Sequence, residues 1–189
     1  MKYFRVLDQL SEPPNRWFLK SINIVEDKKI SLWNFLMPFK IELPENVKLA
    51  INIRTKGEPL DFTFADFDVL IVNEKVALLF NEGECQLIPI KIDGISDSHE
   101  YYVCVILRCV ECLDESRSVF DKFAIDDPVR PDKAGQYRGI YKLVIDHRKI
   151  NDERIFRLKN AENIIIVNEE LRREIEDSDI TGIHFRDVN

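Results

Sequence analysis

The stretch AENIIIVNEELRREIEDSDITGIHFRDV, residues Ala161 to Val188, decides the fold reading. Ile164-Ile165-Ile166-Val167 is a β-branched apolar run, the composition of a strand buried on both faces. Asn168 follows as a helix N-cap, with Glu169 and Glu170 in the first turn, where carboxylates suit the positive end of the helix dipole. Leu171 and Ile175 stand four apart on one face, and Arg172, Arg173, Glu174 and Glu176 occupy the others. Thr181-Gly182 turns the chain into a second strand carrying Ile183, Phe185 and Val188. The same order appears earlier. Val69-Leu70-Ile71-Val72 is an apolar run, Asn73-Glu74 opens a helix with Val76, Leu79 and Phe80, Gly83 stops it, and Leu87 to Ile92 is a strand. Ile-Val-Asn-Glu starts both helices, at 71–74 and 166–169, an offset of 166 − 71 = 95.

The chain has 189 residues, 45% hydrophobic and 32% charged, with net charge −7. That is enough for one sizeable core, and a single domain over 1–189 is expected. A net negative chain is poorly suited to nucleic acid, whose binding rests on Lys and Arg releasing counterions from phosphates. The excess acid serves solubility, or forms a face that meets a basic partner. Met1-Lys2-Tyr3-Phe4-Arg5 lacks the apolar core of a signal peptide, and no apolar run approaches the roughly 20 residues of a membrane helix. Four cysteines (85, 104, 109 and 112) without an export signal suggest reduced thiols. The expectation is a cytoplasmic protein with no membrane contact.

The first sixty residues read as mostly β. Lys2–Leu7 and Trp17–Ile22 are strands separated by the turn Ser11-Glu12-Pro13-Pro14-Asn15, and Val47, Leu49, Ile51 and Ile53 alternate with polar residues. Pro89 implies an edge position or a bulge. Tyr101 to Leu113 is the most strand-like piece, with Val103-Cys104-Val105-Ile106-Leu107 apolar on both faces, and belongs at a sheet centre. Asp114 to Lys133, broken by Pro128 and Pro131, reads as a long loop with a helical turn at Val119-Phe120, and Gln136 to Asp146 as a strand. Together these predict an α+β fold: a mixed sheet, a β-rich part over 1–60, and an α/β part over 61–189 with two strand–helix–strand units.

Few residues are arranged for chemistry. Cys109-x-x-Cys112 has half-site zinc spacing, but residues three apart on a strand face opposite ways, so buried thiols are the simpler reading. His99, His147 and His184 sit far apart, and a metal-dependent hydrolase using dispersed Asp, Glu and His is the enzymatic alternative. Asp27-x-Lys29 has the form of a nuclease fragment and reads better as a charged turn. No glycine-rich phosphate loop or nucleophile motif is present, and no cofactor is implied. Glu111, Asp114, Glu115, Asp126 and Asp127 form an acidic group without calcium-loop spacing. Arg130-Pro131-Asp132-Lys133 and Gly135-Gln136-Tyr137-Arg138 are dense in directed hydrogen-bonding groups, either pinning a loop or facing a partner. The candidate partner-binding residues are therefore Glu111, Asp114, Glu115, Asp126, Asp127, Arg130, Asp132, Lys133, Gln136 and Tyr137.

Several stretches in order resemble a known family: Arg16-Trp17, Trp33-x-Phe35, Leu60-Asp61-Phe62, Phe67-Asp68, Leu87-Ile88-Pro89-Ile90, Tyr101-Tyr102-Val103 and Cys112-Leu113-Asp114-Glu115. Arg130-Pro131-Asp132-Lys133, Gly135-Gln136-Tyr137-Arg138, Ile145-Asp146, Ile155-Phe156-Arg157 and Thr181-Gly182-x-x-Phe185 continue it. The chain is similar to immunity-protein family eleven of bacterial polymorphic toxin systems. Asn168 stands where the pattern has serine, and both residues cap well. The resemblance implies a small cytosolic, non-enzymatic protein that binds and blocks a cognate toxin encoded nearby. It carries over no catalytic residue and leaves homo-oligomerisation open. A non-enzymatic adaptor without a toxin is the third reading.

Overall fold

The computed structural model describes residues 1–11, 13–24, 31–45, 47–95 and 100–188. The turn at Asp27-Lys28-Lys29, Glu12 of the first turn and His99 lie outside the described residues. The fold is mostly β, with 43% of the described residues in strands against 15% in helices and 3-10 turns, and this corrects the α+β expectation.

A six-stranded sheet contains β2 (Phe18–Ile24), β3 (Leu49–Thr55), β4 (Phe62–Ala65), β5 (Val69–Asn73), β6 (Cys85–Asp93) and β7 (Tyr101–Ile106), in the order β2-β3-β6-β7-β5-β4. A five-stranded sheet contains β1 (Tyr3–Asp8), β8 (Cys109–Val110), β11 (Ile155–Leu158), β12 (Ala161–Asn168) and β13 (Ile183–Asp187), in the order β13-β1-β12-β11-β8. The third sheet is a ribbon of β9 (Val119–Lys122) and β10 (Tyr137–Lys142). Among the described residues the α-helices are α1 (Glu74–Ala77) and α2 (Glu169–Asp177).

The correction has a local cause. Helix α1 stops after one turn, because Leu79 and Phe80 pack inward through tight turns rather than continuing the spiral, and Gly83 reverses the chain at φ 82°. Only Val76 and Ala77 of α1 are buried. A single turn returns little for its nucleation cost without such packing. The polar segment after Asp114 is also more ordered than expected: Val119-Phe120 lies in β9, paired with β10.

What does recur between 69–93 and 161–187 is a capping arrangement. Asn73 Oδ1 accepts the Val76 N–H at 3.2 Å, and Asn168 Oδ1 accepts the Leu171 N–H at 2.9 Å. The Asn73 and Asn168 N–H groups donate to the carbonyls of Asp61 and Arg154, and those of Glu74 and Glu169 to the carbonyls of Glu100 and Lys2. In each sheet the strands before and after the helix are parallel and separated by one antiparallel strand: β7 between β5 and β6, and β1 between β12 and β13. The order β6-β7-β5-β4 thus matches β13-β1-β12-β11. The middle strand follows its unit in one sheet and comes from the N-terminus in the other.

Strands β5 and β12 are buried on both faces. Leu70 and Val72 join Ile165 and Val167 in the cluster between the sheets, with Phe4, Cys104 and Leu171. Val69 and Ile71 face a second cluster under Trp17, Phe35 and Leu36, and Ile164 and Ile166 face a third with Leu113, Ile145 and Phe156. This accounts for runs without alternation in the sequence. Pro89 lies in β6 one residue before β3 begins to pair at Ile90, so β6 is locally an edge where proline has no N–H to offer.

Candidate functional site

The helical turn at Leu32–Leu36 is built by a capping box, with the Ser31 hydroxyl accepting the Trp33 N–H and Asn34 Oδ1 accepting the Ser31 N–H. It buries Phe35 and Leu36 and leaves Trp33 51% exposed. The tip of the β4–β5 hairpin places Phe67 against Trp33, edge to face at 5.6 Å, and Phe67 is 50% exposed. Phe67 and Asp68 have φ 63° and 57°. Two consecutive positive φ values are normally left to Asn-Gly at such a tip, and non-glycine residues held there cost about 1 kcal/mol or more each. The strained turn presents Phe67 to solvent and sets Asp68, itself exposed, on the side of the cleft.

Asp68 lies on the wall of a cleft of about 450 Å³. The remaining wall comes from Trp33, Arg130, Lys133, Arg138 and the turn at 160–163, among others. Of the ten expected site residues, Arg130, Asp132, Lys133, Gln136 and Tyr137 meet here. Arg130 is bound through Nε and Nη2 to both carboxylate oxygens of Asp132, at 3.0 and 2.8 Å. Lys133 Nζ lies 5.6 Å from the Trp33 ring and 5.9 Å from Phe123, over their faces. Neither Lys133 nor Arg138 makes an ion pair with a carboxylate among the described residues. Ile125 and Val129, 82% and 80% exposed, stand on the same loop, and Ile125 packs over Gly135.

The acidic group behaves differently. Glu111 pairs with Lys159 at 2.9 Å, Asp114 with Arg117 at 2.6 Å, and Glu115 with Lys122 at 2.6 Å. Tyr137 donates its phenol to Glu115 Oε1 at 2.6 Å, and burial together with this bond keeps it protonated. Hydrogen bonds from the Ser116 hydroxyl and the Arg117 side chain pull the Asp114 carboxyl down to about 2. Asp127 accepts the N–H groups of Val129 and Arg130, which holds it below the usual carboxylate range. Asp126 is exposed and makes no ion pair among the described residues. Four of the five acids are thus committed to partners within this chain.

Arg157 and Arg5 were not among the expected site residues. Arg157 is fully buried between the sheets; its Nη1 donates to the Glu162 carbonyl, while Nε and Nη2 have no partner. Burial pulls its guanidinium down, and the thiols of Cys104 and Cys85 and the Asp68 carboxylate oppose this. Burial raises the Asp68 carboxyl, against the charges of Arg157 and Arg5. An arginine in Ile155-Phe156-Arg157-Leu158 gives no sign from the sequence that it points into a core.

His147 stacks edge to face on Tyr3 at 5.4 Å, and His184 lies on β13, an edge strand. Among the described residues no group of three or more His, Cys, Asp or Glu is placed to hold a metal. Burial raises the Cys109 and Cys112 thiols to about 11 and 12, so both are neutral. No helix among the described residues is long and apolar enough to cross a membrane.

The family model described as Immunity protein family (Imm11) matches residues 1–189. The chain belongs to that family. No curated protein matches it. Membership makes this an immunity protein, whose general partner is a toxin. Within this Imm11 chain, Arg16-Trp17 and Thr181-Gly182 are framework. Arg16 is buried and bound to Asp8, Gln9 and Thr63, and Gly182 packs on the Phe62 carbonyl. Trp33, Phe67-Asp68 and the 130–138 segment instead converge at the cleft.

Proposed function

We propose that the protein neutralises its toxin by binding and occlusion, acting as a non-enzymatic partner in the cytoplasm of a bacterium that carries a polymorphic toxin. The contact face in this reading is the 123–138 loop with the cleft beside it. One observation carries it: Trp33, Phe67, Ile125 and Val129 are large apolar side chains held in solvent around the cleft, two of them by a strained hairpin and a capped turn. Exposed aromatic anchors beside a pocket are what hot spots are made of. The net charge of −7 favours a toxin that is basic overall, since long-range attraction raises the association rate.

The test is co-expression. The large reading frame beside this gene is expressed in a tractable bacterium with and without this protein, and survivors are counted. Killing by the neighbour alone and growth with both support the reading; killing unrelieved by this protein overturns it. Asp126→Lys is the clean charge probe, because Asp127 also holds the turn at 129–130. It is expected to slow association by about two- to threefold at low salt, an effect that fades as screening rises. An unchanged association rate at low salt removes the electrostatic part of the proposal.

A further inference from the structure

The charges on the cleft wall balance, in a chain that is net negative. The wall carries Arg130, Lys133 and Arg138 against Asp68, Asp132 and Glu162. Arg130 and Asp132 cancel one another in a two-pronged pair. Glu162 Oε1 accepts the Asn160 N–H and is tied to its own turn. Asp68 is already flanked by Arg157 and Arg5. Among the described residues Lys133 and Arg138 make no direct ion pair, although their charges act on Asp132 and Asp127, and behind the wall Arg157 bonds the Glu162 carbonyl while two of its nitrogens stay unpartnered. In a protein of net charge −7, this cleft therefore presents two cations without a salt bridge among the described residues, beside an exposed aromatic pair.

We propose that the cleft receives a carboxylate side chain from the toxin, held by Lys133 and Arg138 beside Trp33 and Phe67. The inference rests on the binding reading above and adds the chemistry of the contact. A toxin that is basic overall reaches this face by long-range attraction, and an acidic residue on its docking segment then meets Lys133 and Arg138 in the cleft. The volume of about 450 Å³ suits one or two side chains rather than a folded element. Lys133, lying over the Trp33 ring, is ordered before any partner arrives, which lowers the cost of fixing its side chain on binding.

The probe is the tripeptide acetyl-Asp-Glu-Asp-amide, titrated into isotopically labelled protein and followed by amide and indole NMR shifts, with acetyl-Lys-Gly-Lys-amide as the control. The acidic peptide is expected to shift the Trp33 indole N–H and the amides of Lys133, Gln136 and Arg138, and the basic peptide to leave them in place. The double variant Lys133→Glu, Arg138→Glu should weaken the acidic peptide about tenfold, the sum of two partly exposed ion pairs. Because Lys133 is half-buried and Arg138 exposed, its thermal midpoint should stay near that of the parent, and this is checked first. No shift with the acidic peptide, an equal response to the basic one, or an unchanged affinity in a folded double variant overturns the proposal. The titration uses this protein alone, so it fails separately from the co-expression test. Rescue with a negative titration removes the carboxylate and keeps toxin binding; a positive titration without rescue removes the toxin as its source.

Discussion

Replacing Arg157 by methionine should make this protein more stable. Arg157 is fully exchanged out of water, and its guanidinium keeps one hydrogen bond, from Nη1 to the Glu162 carbonyl. Losing that bond costs about 1.5–3 kcal/mol for a charged donor. Against this stand two buried nitrogens, Nε and Nη2, without partners, each worth about 1–3 kcal/mol in lost solvation. Removing the charge also ends its general burial cost, and methionine fills much of the space with an unbranched, adaptable chain. Replacing poorly compensated buried charges by packed apolar groups typically gains about 1–4 kcal/mol, and about 2 kcal/mol is expected here. For a chain of this size that is about 4–8 °C in the thermal midpoint. Urea unfolding followed by tryptophan fluorescence measures it, and a single transition is expected if 1–189 folds as one unit. A loss of more than about 1 kcal/mol would refute the reasoning, because it would mean that the guanidinium is compensated in solution. The sign with pH follows from Asp68. Its carboxyl is already raised by burial, and losing the opposing Arg157 charge raises it further. A raised carboxyl contributes stability at low pH that is lost as pH rises through its folded value. The advantage of the variant is thus largest in mild acid and narrows toward neutral pH.

Asp114 should show the opposite pH behaviour. Its carboxyl is depressed from 3.8 to about 2, so the stability it contributes is present above pH 3.8 and is lost as pH falls through about 2. Asp114→Asn is expected to flatten the acid limb of the unfolding midpoint over that window, and parallel curves for the two proteins would count against the assignment. Two glycines separate conformation from space. Gly83, with φ 82° and nothing within 4 Å of an added Cβ, should cost about 1 kcal/mol on change to alanine. Gly182, with φ 90° and an added Cβ only 2.0 Å from the Phe62 carbonyl, should cost about 4 kcal/mol or fail to fold. Equal midpoints for the two variants in thermal melts would contradict the packing at Gly182.

Much of the strand content was legible from local pattern. Val69–Val72 and Ile164–Val167 are apolar without alternation because residues on both faces of each strand are buried, and their asparagine caps were readable from residue type alone. Local pattern misjudged α1, because Val76, Leu79 and Phe80 have helical spacing, yet whether a helix continues past one turn depends on what its neighbours bury. It also missed β9, whose residues are mostly exposed and become a strand only by pairing with β10.

The candidate site divides in the same way. The density of directed groups in Arg130–Arg138 was visible in the chain, whereas the charge balance was not. Glu111 is neutralised by Lys159 forty-eight positions away, and Arg157 was an unremarkable residue in a strand until the second sheet closed over it. Sequence by itself determined which segments are buried, where the helices start and which loop is rich in polar groups. Only the tertiary structure decided which charges cancel and which remain, and that Trp33, Phe67, Asp68 and the 130–138 segment share one cleft. Burial and capping depend on residues a few positions apart, but electrostatic balance depends on distances in space, which chain spacing does not encode.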